Sequence, residues 1–177
     1  KHFKVVELNK SYRSTNEITD FMSAILNNTT TLSLGVAGDK PQIIQTDDLR
    51  GTVKGLVDTA FEANDSFVIL CKNKAACQQL YTELKPSIPQ LQLITEKQKA
   101  YMKGILIMPG YMAKGFEFTT VVLADANAQV YQEEMDAYLL YTIASRATRK
   151  LFLLTAGTLP KALAHIGEQY YRKEVNI

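Results

Sequence analysis

The sequence predicts a three-layer α/β fold built on a mostly parallel sheet, and two observations predict it. Short continuous apolar runs, such as Ser66–Cys71, Gly104–Met108 and Thr120–Leu123, read as strands buried on both faces. Segments with helical apolar spacing lie between such runs, and this alternation belongs to a sheet covered by helices on both sides. The chain has 177 residues, 46% of them apolar, with no internal repeat or linker, which fits one domain over residues 1–177 with its own core.

Taken in order, Phe3–Leu8 reads as a short strand. Ser14-Thr15-Asn16-Glu17 has the form of a helix start, with Ser14 as N-cap and Glu17 at the reciprocal position three residues on. Ile18, Phe21, Met22, Ile25 and Leu26 continue it at helical spacing to about Leu26. Residues 27–40 are polar and contain Gly35 and Gly38, which marks a loop. Gln42–Gln45 is a strand and Leu49–Ala63 a helix; Ser66–Cys71 is a strand, and a helix covers about Asn73–Leu84. Pro86 and Pro89 interrupt the chain before Leu91–Ile94. Strands follow at Gly104–Met108 and Thr120–Leu123, a helix at about Glu133–Thr148, a strand at Lys150–Thr155 and a closing helix at Leu159–Tyr171.

Composition removes several functional classes. Lys and Arg total 20 against 18 Asp and Glu, so a net charge of +2 gives no general basic footprint of a stand-alone nucleic-acid binder. Cys71 and Cys77 lack the spacing of zinc ribbons or redox motifs and read as small core residues; two thiols without a disulfide framework suit a reducing cytoplasm. No signal-peptide pattern opens the chain, and no apolar run approaches the ~20 residues of a membrane span, so a cytoplasmic protein without membrane contact is expected. In that setting the sequons at Asn9 and Asn28 carry no weight. His2 and His165, each near a terminus, do not support a His-based triad or a metal cluster. Gly110 and Gly115 have the spacing of phosphate-loop glycines, but Phe116 stands where the lysine belongs. The chain begins without methionine and enters a strand almost at once, so it reads as a piece of something longer.

Three segments remain that can carry chemistry. Leu8–Ser14 holds Tyr12 and Arg13 at a strand end, where ligands of open α/β sheets collect outside the carboxyl ends. A Tyr can stack on a flat base and an Arg can fork onto phosphate; the bland alternative is a surface Tyr and a solvated Arg. Tyr111–Phe118 holds Lys114, Gly115 and Glu117: a glycine that permits close backbone approach, a carboxylate for hydroxyls and an ammonium for an anion. Its bland alternative is a turn entering a strand, with Phe116 and Phe118 packed inward. In Leu139–Arg149, helical spacing puts Leu139, Thr142, Ile143 and Arg146 on one stripe, so Arg146 must snorkel, pair or reach into a cleft, with Arg149 the solvated one.

The order and spacing of these segments resemble the UvrD-like superfamily 1 helicases. Leu8–Ser14 resembles their L-x-x-N-Y-R-S element, motif IV. Tyr111–Phe118 resembles motif V, H-x-x-K-G-L-E-F, and Leu140–Ala147 resembles motif VI, Y-V-A-x-T-R-A. Ser66–Leu84 is similar to the family's strand and helix between motifs IV and V, so the match runs in family order from residue 3 to 155. In that family two RecA-like domains clamp ATP; the first holds the phosphate loop and the Mg²⁺ carboxylate, and the second supplies motifs IV to VI. The resemblance thus implies a RecA-like, P-loop NTPase-type domain without the phosphate loop, in an ATP-dependent DNA helicase using ATP and Mg²⁺. By motif position, Tyr12 would stack on adenine, Arg13 and Arg146 would reach the γ-phosphate as the catalytic arginines, Glu117 would bind the ribose, and Gly115 would allow the approach. Tyr111 and Lys114 would face nucleic acid. The implied partners are an N-terminal RecA-like domain of the same chain and single-stranded DNA.

Departures from the pattern qualify the carry-over. Lys10-Ser11 replaces the usual polar-Asn pair before Tyr12, and Ser145 replaces the usual Thr before Arg146 while keeping the hydroxyl. Tyr111 replaces the common motif V histidine, which in that family helps to contact the DNA strand. Only about 25 residues separate the Asn73–Leu84 helix from motif V, with no room for the family's usual large subdomain. That compactness is similar to the helicase IV-like branch, which includes helicase-like ATPases that act on RNA polymerase. A polymerase-remodelling ATPase is therefore the alternative to a DNA motor. A non-catalytic binding module is the third reading, and the intact Tyr12, Arg13, Glu117 and Arg146 oppose it. The isolated chain is expected to be inactive, and the geometric expectation is that Arg13, Glu117 and Arg146 meet on one rim of the sheet.

Overall fold

A computed structural model of the chain describes residues 10–11, 13–28, 32–33, 35–96 and 103–176. The expected Phe3–Leu8 strand and Tyr12 lie outside the described residues. The elements are β1 (Lys10–Ser11), α1 (Asn16–Ile25), β2 (Leu32–Ser33), β3 (Gln42–Thr46), α2 (Leu49–Ala60), β4 (Ser66–Cys71), α3 (Lys74–Leu84), β5 (Gln92–Leu93), β6 (Gly104–Pro109), β7 (Phe118–Leu123), α4 (Asp136–Ala144), β8 (Ala147–Thr155), α5 (Lys161–Ala164) and β9 (Arg172–Asn176). β3 to β9 form one sheet in the order β5-β6-β4-β7-β8-β3-β9, and every described pair in it is parallel. β1 and β2 make a separate parallel pair.

The central strands explain the three layers. Successive side chains of a strand point to opposite faces. On one face Val68, Leu70, Leu106, Met108, Val121 and Leu123 pack with Ile18, Phe21 and Ile25 of α1 and Leu140 and Ile143 of α4. On the other, Phe67, Ile69, Ile105, Ile107 and Val122 pack with Val53 and Val57 of α2 and Leu80 and Leu84 of α3. Both faces are apolar, so these strands show no alternation in sequence; each fully buried aliphatic or Phe side chain contributes about 1.5–3 kcal/mol. Two helices start on side-chain caps: Asp48 accepts from the Gly51 amide at 2.9 Å, and Asn73 from the Ala76 amide at 2.9 Å. Cys71 and Cys77 are buried free thiols, as expected of small core residues. A hydrogen bond with Cys77, then burial, pushes the Cys71 thiol far up.

Tertiary pairing overrides local signals in several places. The N-cap of α1 is Thr15, not Ser14, and its side chain makes no cap bond. Ser14 instead donates its hydroxyl to the Ala147 carbonyl, and Glu17 accepts from the Gly38 amide at 2.7 Å. The loop at 27–40 contains β2. α2 stops at Ala60, short of Ala63. The helix expected to reach Thr148 ends at Ala144, because β8 starts pairing with β7 at Ala147, opposite Phe118. The closing helix shrinks to Lys161–Ala164, followed by a 3₁₀ turn at Glu168–Tyr170 and by β9, whose backbone pairs with β3 from Gln42 to Thr46. Among the described residues, no helix is long and apolar enough to cross a membrane.

Candidate functional site

The Tyr111–Phe118 segment is part of a crossover from one end of the sheet to the other. From the carboxyl end of β6 the chain makes a 3₁₀ turn, Gly110–Ala113, packed on α4, and returns through Lys114–Glu117 to the amino end of β7. Gly110 is there for close packing: a Cβ would lie 2.6 Å from Cδ1 and 2.9 Å from Cγ1 of Ile143. Gly115 serves the backbone, at φ +88°, and the space where its Cβ would stand is open to 4 Å. Phe118 is buried and Phe116 is partly buried against the same core, so both aromatics anchor the segment.

The Leu139–Arg149 segment leaves the helix for a turn at Ser145 and Arg146. Ser145 and Arg146 join α4 to β8, and the Arg146 amide donates to the Ile143 carbonyl at 3.1 Å. Arg146 therefore leaves the stripe of Leu139, Thr142 and Ile143 that helical spacing predicts for it. Its carbonyl accepts the Phe118 amide at 2.9 Å. Its guanidinium donates through Nη1 to the Phe116 carbonyl at 3.3 Å and through Nε to the Thr142 carbonyl at 3.2 Å. The turn before β7 and the turn before β8 are thus joined by backbone and side chain together.

Arg13 reaches the same place by a third route. The Thr15 amide donates to the Thr148 carbonyl at 3.0 Å, which with the Ser14 contact staples this segment to the start of β8. Arg13 then lies against Glu117, with Nε 3.0 Å from Oε1. The pair is open to solvent, with side-chain exposures of 72% and 40%. The Arg146 guanidinium feels both partners: burial first, then the positive charge of Arg13, lower its pKa from the usual value, while Glu117 opposes the fall. Arg13, Glu117 and Arg146, from three distant stretches of sequence, form one cluster.

The cluster's place on the sheet follows from the strands that Glu117 and Arg146 precede. The cluster sits at the amino ends of β7 and β8, not at the carboxyl ends where open α/β sheets usually hold ligands. Tyr111 stands at the opposite, carboxyl end of β6, 48% exposed and near Lys74 of α3, whose ammonium is held up first by its hydrogen bond to Glu96. Lys114 is exposed on the return segment and is not drawn into the Arg13–Glu117–Arg146 cluster.

The carboxyl rim also carries a polar knot outside the three segments that the sequence singles out. Lys72, just past β4, donates to the Val130 carbonyl at 2.7 Å and to Asp136 Oδ2 at 3.0 Å, and lies 5.3 Å from the Tyr131 ring centre. The Tyr131 hydroxyl donates to Asp125 Oδ1 at 3.3 Å. Burial is the first cause that raises the Asp125 carboxyl, and burial likewise pushes the Tyr131 hydroxyl up. Lys72 and Asp125 each follow a strand; that placement at the carboxyl edge is the signal that could have found them. Among the described residues, no group of three or more His, Cys, Asp or Glu side chains is arranged to hold a metal ion.

An all-parallel seven-stranded sheet with helices on both faces defines the class of the RecA-like C-terminal domains of helicases. The C-terminal domain of the DEAD-box protein Dbp5 superposes with a TM-score of 0.55 at 12% identity, over 78% of this chain and 90% of that one. The Sulfolobus solfataricus SWI2/SNF2 ATPase core, solved with double-stranded DNA, gives 0.50 at 14% identity, over 88% of this chain and 34% of that one. At such identities the likeness is one of fold. The family of UvrD-like helicase C-terminal domains matches residues 104–154. The C-terminal domain of a possible DNA helicase from Lactobacillus plantarum WCFS1 is 33% identical, over 92% of this chain and 98% of that one, with a TM-score of 0.76. This chain belongs to the family of UvrD-like helicase C-terminal domains. A search among curated proteins finds no match.

Proposed function

We propose that this chain is the second RecA-like half of an ATP-driven motor that moves along single-stranded DNA. In this reading it gives Tyr12, Arg13, Gly115, Glu117 and Arg146 to an ATP site whose phosphate loop and Mg²⁺ carboxylate come from an N-terminal RecA-like domain of the same protein. The observation that carries it is the meeting of Arg13, Glu117 and Arg146 on one rim, with Nε of Arg13 3.0 Å from Glu117 and Arg146 electrostatically coupled to both.

The residues fit a nucleotide. Arg146 is part-buried and its hydrogen-bond partners are neutral oxygens, so its charge is left for an anion. Arg13 is held by a carboxylate in an exposed pair that is cheap to open. Glu117 can accept from ribose hydroxyls, and the open space at Gly115 leaves the backbone approachable. Two guanidinium groups at a transferring phosphoryl group would stabilise charge that develops there, an effect of about 10³–10⁵ in rate for an arginine finger. Mg²⁺, held by the first domain, would neutralise charge on the phosphates. Tyr111 and Lys114 would face the DNA strand. The short connection from α3 through β5 to β6 supports placing the chain near the helicase IV-like branch.

The experiment compares residues 1–177 with the full-length protein in a DNA-stimulated ATP hydrolysis assay. Residues 1–177 should show no turnover, and Arg146→Ala in the full-length protein should lower kcat at least about 10³-fold while the domain stays folded. Helicase-like turnover by residues 1–177 would refute the shared site, and full turnover by the variant would refute the finger.

A further inference from the structure

The contacts of Arg146 single out the residue before it. The Ser145 hydroxyl accepts from Arg146 Nε at 3.2 Å and from Nη2 at 2.9 Å. It sends its own hydrogen to the Thr142 carbonyl at 2.7 Å, one turn back in α4. The same carbonyl accepts from Arg146 Nε at 3.2 Å, and the Phe116 carbonyl accepts from Nη1 at 3.3 Å. Among the described residues the side chain is thus held at three points, and Ser145 supplies the only one that is a side chain and the only one that contacts two of its nitrogens.

A guanidinium offers one N–H on Nε and two on each Nη. The contacts engage the Nε hydrogen, one on Nη1 and one on Nη2, so one N–H on each Nη has no partner among the described residues. The partners are a hydroxyl and two carbonyls, which orient the group without cancelling its charge. Arg13, by contrast, is paired with a carboxylate. A carboxylate in place of Ser145 would hold Arg146 too, but would neutralise it; an alanine would leave Nη2 unheld and the guanidinium fixed only through the Thr142 and Phe116 carbonyls.

We infer that Ser145 is a positioning residue for Arg146: its hydroxyl fixes the guanidinium plane with two donors left for a phosphoryl group. This rests on the assignment of Arg146 as the finger. Ser145 touches no substrate; it acts through its neighbour, and it keeps Arg146 oriented before nucleotide arrives. Preorganisation of this kind acts on the chemical step, because the cost of orienting the charge is met in folding and not in the transition state. Its loss should therefore appear in kcat and leave KM for ATP in place.

The test is a cycle of variants in the full-length protein, with kcat and KM for ATP read at saturating single-stranded DNA. Ser145→Ala should lower kcat about tenfold, the size expected for a lost hydrogen bond to a charged group, and shift KM by less than about twofold. Ser145→Thr, which keeps the hydroxyl, should restore kcat. In an Arg146→Ala background, Ser145→Ala should have no further effect, because the group it positions is gone. Ser145→Cys, similar in size but a weak hydrogen-bonding partner, gives the same reading if the alanine variant does not fold. The inference is overturned if Arg146→Ala lowers kcat and Ser145→Ala does not, or if Ser145→Ala costs the same factor in the Arg146→Ala background. An Arg146→Ala protein with normal kcat is a different result: it removes the shared-site reading and this inference with it.

Discussion

The Phe118 amide donates to the Arg146 carbonyl at 2.9 Å, so the turn that carries Glu117 and the turn that carries Arg146 are one hydrogen-bonded unit. Two candidate segments, whose residues Glu117 and Arg146 lie 29 positions apart in sequence (146 less 117), are fixed to each other by backbone. Arg13 joins them through the Thr15 amide and the Thr148 carbonyl. Rigid backbone coupling of this kind is what lets three short turns act as one site.

Glu117 separates stability from binding. The Arg13–Glu117 pair is exposed, so Glu117→Gln should change unfolding free energy by less than about 1 kcal/mol. In the full-length protein the same change should raise KM for ATP about tenfold, through a weakened hydrogen bond to the ribose. Thermal melts and steady-state kinetics on one preparation check both halves. An unchanged KM would remove Glu117 from the nucleotide site.

Asp125 makes the domain's stability depend on pH. Burial raises its carboxyl above the ordinary value of 3.8, against opposing hydrogen bonds from the Lys72 backbone and from Tyr131. A carboxyl raised in the folded state holds its proton more tightly there than in the unfolded chain. Stability is then lost as pH climbs from the unfolded value through the folded one. Asp125→Asn cannot ionise, so its stability relative to the unaltered domain should improve between about pH 4 and pH 8. Urea midpoints at the two pH values measure this, and a difference that is flat with pH would contradict it.

Lys72 ties the connection after β7 to the end of β4. Lys72→Met removes the donor to Val130 and leaves Asp136, itself buried, without its cation. The expected cost is about 2 kcal/mol. Asp136→Asn in the Lys72→Met background should recover part of it, since the unpaired charge is gone. Chemical denaturation of the four proteins provides the check.

Gly110 and Gly115 should respond to alanine for different reasons. Gly115→Ala meets no neighbour but must adopt φ +88°, at about 1 kcal/mol. Gly110→Ala would press on Ile143, at about 1–3 kcal/mol. Ile143→Val removes the atom 2.6 Å from the new methyl, so it should shrink the cost of Gly110→Ala and leave that of Gly115→Ala untouched. Equal costs in both backgrounds would mean that Gly110 is not there for packing.

Much of this molecule was legible in its sequence. The runs at Ser66–Cys71, Gly104–Met108 and Thr120–Leu123 determined buried strands, because only a sheet covered on both faces buries every residue of such a run. The residues Arg13, Glu117 and Arg146, with their order, came from the sequence too. Local patterns could not show where α4 ends. Leu139 to Ala147 contains neither Gly nor Pro, and the helix stops because Ala147 is claimed by β7. β9 was hidden for the same reason: Arg172–Asn176 is exposed and charged, and only pairing with β3 makes it a strand.

The tertiary structure alone decided that Arg13 lies against Glu117 and what Ser14 does. Glu117 and Arg146 each directly precede a strand, which puts both at amino ends, but no local pattern brings Arg13 beside them. Ser14 looked like a helix cap, yet its hydroxyl serves Ala147, 133 residues away. Composition and periodicity report what a residue does to its neighbours within a turn or two. Hydrogen bonds between distant strands and turns outweigh those local preferences, and they placed the three charged groups together.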